Sequence, residues 1–86
     1  MEYDQKVKNR LRRIEGQIKG VLSMMEQNKD CRDIVTQLSA ARSAIDRTMG
    51  VIVSGNLEKC VRESIEKGES TEDLVREAVE LLVKSR

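Results

Sequence analysis

The spacing of the apolar residues constrains this chain more than any other feature. From Val7 they recur at Leu11, Ile14, Ile18, Val21 and Met25, in alternating steps of four and three. That is the period of one face of an α-helix, and a strand, whose faces alternate every second residue, cannot carry it. The same stepping resumes at Ile34, Leu38, Ala41, Ile45, Met49 and Ile52, and a shorter apolar side follows at Leu74, Val75, Ala78, Leu81 and Leu82. Pro is absent and Gly occurs at only five positions, so long helices meet little interruption. The pattern predicts an all-α chain, a single domain over 1–86, with helices at approximately 5–28, 31–66 and 71–85.

Local signals place the ends. Asp4 stands near the start of the first helix, Asp30 with Asp33 opens the second, and Ser70 with Asp73 opens the third after a turn at Lys67, Gly68 and Glu69. Gly16 and Gly20 cost the first helix about 1 kcal/mol each relative to Ala, which predicts close packing or crowded approach to a ligand there. Gly50 and Gly55 weaken the second helix, yet its apolar register continues across them.

The chain must build its core without Phe or Trp, and Tyr3 is its one aromatic residue. A chain of 86 residues with only aliphatic packing gains from partner subunits, which predicts an obligate homo-oligomer. Two long amphipathic helices per chain fit an antiparallel dimeric four-helix bundle, with the third helix completing the core or mediating further assembly.

Two cysteines lie 29 residues apart, at Cys31 and Cys60. On one unbroken helix that separation is about 43 Å, so they cannot react with each other within a subunit. Antiparallel pairing of two such helices would set Cys31 of one chain beside Cys60 of the other, twice per dimer. A break at Gly50 or Gly55 would give a different pairing. Cys31 falls in a first helical turn, where free N–H groups favour a thiolate; the plain alternative is a small interface hydrophobe. Such a pair could attack a sulfur electrophile or persulfide and then cross-link, directly or through inserted sulfur atoms. Asn56 shares a helical face with Cys60 and is a poor ligand for soft metals.

There is no His, CxxC or acidic cluster, which argues against structural zinc. Copper(I), which prefers sulfur, could still be met by the two cysteines. Without a His base or a phosphate-binding glycine loop, an enzyme is not expected. No apolar stretch suits a membrane span or signal peptide, so a cytosolic protein with free thiols is expected.

Net charge is only +1, but residues 6–20 carry Lys6, Lys8, Arg10, Arg12, Arg13 and Lys19 against Glu15 alone. Arg10, Arg13, Gln17 and Lys6 lie in approximate helical register opposite the apolar stripe, a candidate phosphate-binding face. A solvated helix face is the alternative. Arg42 and Arg47 interrupt an apolar stretch and either point outward or pair with Asp46 or Glu15.

RLRRIEGQIKG from Arg10 to Gly20, DC at Asp30 and Cys31, TQLSAARSAIDR from Thr36 to Arg47 and NLEKC from Asn56 to Cys60 resemble the CsoR/RcnR-like family of small bacterial metal- or persulfide-sensing repressors. The resemblance covers most of the chain. It implies an all-helical dimer of dimers that binds double-stranded operator DNA without a helix-turn-helix and leaves it when a sensor site is occupied or modified. It points to Arg10 and Arg47 as DNA contacts, to which the basic face adds Arg13, Lys6 and Gln17. Copper sensors of the family carry His where this chain has Asn56, and that departure resembles the persulfide-sensing sulfurtransferase-repressor (CstR) branch. The expected function is thus a repressor with Cys31 and Cys60 as its sulfur-sensing pair. It needs no cofactor, takes a persulfide or polysulfide as covalent inducer, and controls sulfide-detoxification or sulfur-metabolism genes. The alternatives are a copper(I)-responsive repressor using the same two cysteines and a helical scaffold that binds no DNA.

Overall fold

A computed structural model describes residues 2–85; Met1 and Arg86, the ends of the expected domain, lie outside the described residues. Three helices follow in order: α1 (Gln5–Glu26), α2 (Cys31–Lys67) and α3 (Glu72–Lys84). The subunit is all-α, as the apolar stepping predicts. Among the described residues no helix is long and apolar enough to cross a membrane.

The helix ends have local causes. Asp4 caps α1, its carboxylate accepting from the Val7 N–H at 2.9 Å. α1 stops at Glu26 because Asn28 turns left-handed, at φ +57. The Asn28 N–H then donates to the Met25 carbonyl at 3.1 Å and the Lys29 N–H to Met24 at 3.0 Å, which satisfies carbonyls of the last turn. Gly68, at φ +74, ends α2 in the same way, with its own N–H donating to Ile65 at 3.1 Å and that of Glu69 to Ser64 at 2.8 Å. At the start of α2 the Asp30 carbonyl accepts from Asp33 and Ile34. Thr71 occupies the cap position of α3 without a side-chain bond, while the Ser70 hydroxyl accepts from the Glu72 N–H at 3.3 Å. α2 runs unbroken through Gly50 and Gly55.

The chain divides into two compact units, one of residues Glu2–Thr48 and one beginning at Met49. In the first, Val7, Ile14 and Val21 of α1 are buried, as are Ala41 and Thr48 of α2. Their seven-residue intervals make one seam of an α-helical hairpin. The alternate members of the α1 stripe, Leu11, Ile18 and Met25, remain 39–49% exposed. The stripe is therefore two seams, one packed within the chain and one open. No close packing surrounds Gly16 or Gly20, since a Cβ at either would meet nothing within 4 Å. In the second unit Ala78 of α3 is buried, and Met49, Ile52, Val53, Leu81, Leu82 and Ser85 line an apolar groove.

Candidate functional site

In the first unit, α1 and α2 enclose a groove of about 160 Å³ lined by Arg10, Arg13, Ile14, Gln17, Ala44, Arg47 and Thr48. Arg10, Arg13 and Gln17 share a face of α1 by their helical spacing of three and four, and Arg47 comes to them only through the hairpin. No acid lines the groove. Among the described residues the ion pairs are Arg62–Glu58 at 3.0 Å and Arg76–Asp73 at 3.5 Å, both on exposed helix surface. Arg47 is thus not paired with Asp46 or Glu15, and three guanidiniums face one concavity with their charge unneutralised. Lys6 is exposed one turn before Arg10 and stands outside the groove lining.

Thr48 is a groove residue that the charge pattern does not reveal. It is the buried polar side chain of the core, 3% exposed, and its hydroxyl donates to the Ala44 carbonyl at 2.8 Å. That bond satisfies the hydroxyl within its own helix. The sequence signal for its burial is the seven-residue step from Ala41.

Both cysteines are free thiols on α2. Cys31 is exposed as the first residue of the helix, in the first unit. Cys60 is half-buried in the second unit, in a groove of about 180 Å³ whose lining includes Asn56 and Leu57 of α2 and Leu74, Glu77, Ala78 and Leu81 of α3. The Cys60 thiol donates to the Asn56 Oδ1 at 3.9 Å, one helical turn away. Glu77 was not expected here. Its signal is its place among Leu74, Ala78 and Leu81, at the edge of the apolar side of α3.

Residues 3–84 match the family described as metal-sensitive transcriptional repressor. The chain belongs to that family. As a family repressor it is a non-enzymatic regulator of transcription. It is 75% identical to the YrkD protein of Bacillus subtilis over 63 residues, which span 73% of this chain and all of that protein. It is 34% identical to the copper-sensing transcriptional repressor CsoR of the same organism, over 96% of this chain and 80% of CsoR. The solved structure of the nickel-responsive transcriptional regulator InrS superposes with a TM-score of 0.79 at 35% identity, covering 96% of this chain and 92% of InrS.

These relatives correct the sulfur-sensing expectation. The likeness is to copper- and nickel-responsive repressors and not to the persulfide-sensing CstR branch, so neither a persulfide or polysulfide inducer nor a link to sulfide-detoxification genes applies to this chain. The physical error lay in weighing the imidazole missing at Asn56 above the two sulfurs, which kept copper(I) only as the alternative. A missing imidazole removes one donor, but a soft monovalent ion such as Cu(I) is satisfied by sulfur alone.

Proposed function

We propose that this repressor senses copper(I) through Cys31 of one protomer and Cys60 of another, and binds operator DNA through the groove of Arg10, Arg13, Gln17 and Arg47. Lys6 contributes from the same helix outside that groove. The donor set carries the copper reading. The chain offers two free thiols and no His, and among the described residues no three His, Cys, Asp or Glu side chains gather to hold a metal. Two thiolates suit soft Cu(I). Ni(II), which favours square-planar nitrogen-containing sets, finds no imidazole in this chain.

Assembly as a dimer of dimers in the cytosol belongs to the same reading. The seam of Leu11, Ile18 and Met25 stays 39–49% exposed, an apolar surface suited to a partner subunit. Antiparallel association along α2 would bring Cys31 of the partner subunit to Cys60, since α2 is continuous between these positions. Occupation of such a site would bias the oligomer between DNA-binding and released arrangements. Multiplied over four subunits, the unneutralised arginines form a surface for phosphates despite a net charge of only +1 per chain.

The test is fluorescence anisotropy of the reduced oligomer on DNA from its own promoter, followed by titration with buffered Cu(I). Tight, salt-dependent binding reversed by about one Cu(I) per Cys31/Cys60 pair is the expected result. Absence of binding by the reduced protein would overturn the DNA reading, and DNA retention at saturating Cu(I) would overturn the sensing one.

A further inference from the structure

Contacts to phosphate hold a repressor on DNA without telling one sequence from another. Beside the arginine groove, the neighbouring face of α1 carries two amides in a defined arrangement. The Gln5 Nε2 donates to the Asn9 Oδ1 at 3.0 Å, and the Arg12 Nη1 donates to the same oxygen at 3.2 Å. All three side chains are exposed. Asn9 stands one helical turn before Arg13, a residue of the groove lining, so this face continues the basic one. Arg12 is held by no carboxylate among the described residues. Gly16 follows one turn beyond Arg12 on the same face, and a Cβ there would meet nothing within 4 Å, which leaves the helix backbone bare to an approaching ligand.

An amide oxygen has two lone pairs. Both are taken in Asn9, so its carboxamide offers a partner only its N–H donors, with the remaining N–H groups of Arg12 beside them. Adenine is read by an amide that accepts from N6 while it donates to N7, whereas guanine shows two acceptors, O6 and N7, and calls for donors alone. Thymine has a single acceptor beside its methyl group, and the amino group of cytosine would face the amide's own donors. We propose that Asn9 is a sequence-reading residue of the repressor, held by Gln5 and Arg12 as a donor and so selective for guanine in the major groove of operator DNA. The inference rests on the DNA-binding reading above and deepens it. The major groove is wide enough to admit a helix. The bare backbone at Gly16 lets α1 come close enough for a side chain as short as Asn to reach a base edge.

The experiment measures anisotropy of the intact reduced oligomer on promoter DNA and on a scrambled duplex of equal length, with 7-deazaguanine replacing guanine at one promoter position at a time. Loss of N7 at a contacted guanine should weaken wild-type binding about tenfold. Asn9→Ala should bind the unmodified promoter about tenfold more weakly and respond no further to 7-deazaguanine at that position. It should bind the scrambled duplex as the wild type does and keep the same salt slope, because the lost group is uncharged. Position 9 is exposed, so circular dichroism of the variant should match the wild type. Gly16→Ala, which meets no clash within the subunit, should also weaken promoter binding with the oligomer intact. Equal loss on both duplexes in Asn9→Ala would make Asn9 a phosphate contact, and unchanged promoter affinity, or a wild type indifferent to every 7-deazaguanine, would remove it from base recognition; each overturns the inference while DNA binding stands. Dispersal of the oligomer by Gly16→Ala would place this face between subunits and overturn it too. Failure of the wild-type oligomer to bind promoter DNA at all overturns the DNA reading and this inference together.

Discussion

Arg10 on α1 and Arg47 on α2 line one groove although they are distant in sequence, and neither guanidinium is held by a carboxylate among the described residues. Arg47→Ala or Arg10→Ala should weaken operator binding about tenfold or more at moderate salt. Each should also reduce the slope of log affinity against log salt by about one for every phosphate the variant no longer neutralises. Equal affinity and slope in both variants would move the DNA surface elsewhere. Lys6→Ala, outside the groove lining, should have the smaller effect.

The Asp4 cap predicts a loss confined to stability. Asp4→Ala leaves the Val7 N–H without its partner and should cost about 1 kcal/mol. Asp4→Asn keeps the acceptor and should retain most of that. Thermal unfolding of the two variants at one protein concentration separates them, since assembly makes the midpoint concentration-dependent.

The two left-handed caps differ in residue, Gly68 without a β-carbon and Asn28 with one. Gly68→Ala must be held at φ +74 and should destabilise by about 1–2 kcal/mol, even though open space surrounds the position. Asn28→Gly, at φ +57, should be neutral or slightly stabilising in urea unfolding.

The split of the α1 stripe gives a test of assembly. Ile18→Glu on the open seam should leave helicity intact while shifting the oligomer to smaller species in light scattering. Val21→Ala on the packed seam, 3% exposed, should instead cost about 1–3 kcal/mol of stability with assembly retained. A fully assembled Ile18→Glu protein would exclude that seam from the subunit contact.

The three helices were legible in the sequence because helical period and chain-terminating turns are local properties. Val7 to Met25 can bury a face only as a helix, and Gly68 closes α2 with no help from distant residues. The arginines of α1 were legible for the same reason. Arg47 came from resemblance, and Glu77 was missed, because the grooves they line are completed by a second helix. Gly16 and Gly20 meet nothing within the subunit, where a Cβ at either would find open space.

Cys60 and Asn56 show the same division. Their four-residue spacing on one helix face was determined by sequence, because α-helical geometry sets which neighbours meet. What the sulfur meets beyond its own helix was decided by tertiary structure. Packing of α3 against the second half of α2 sets Glu77 and an aliphatic wall around the thiol. Packing of α1 on the first half chooses Val7, Ile14 and Val21 over Leu11, Ile18 and Met25. A single stripe cannot announce that choice, since all six residues are equally apolar and only contact with a second helix distinguishes them.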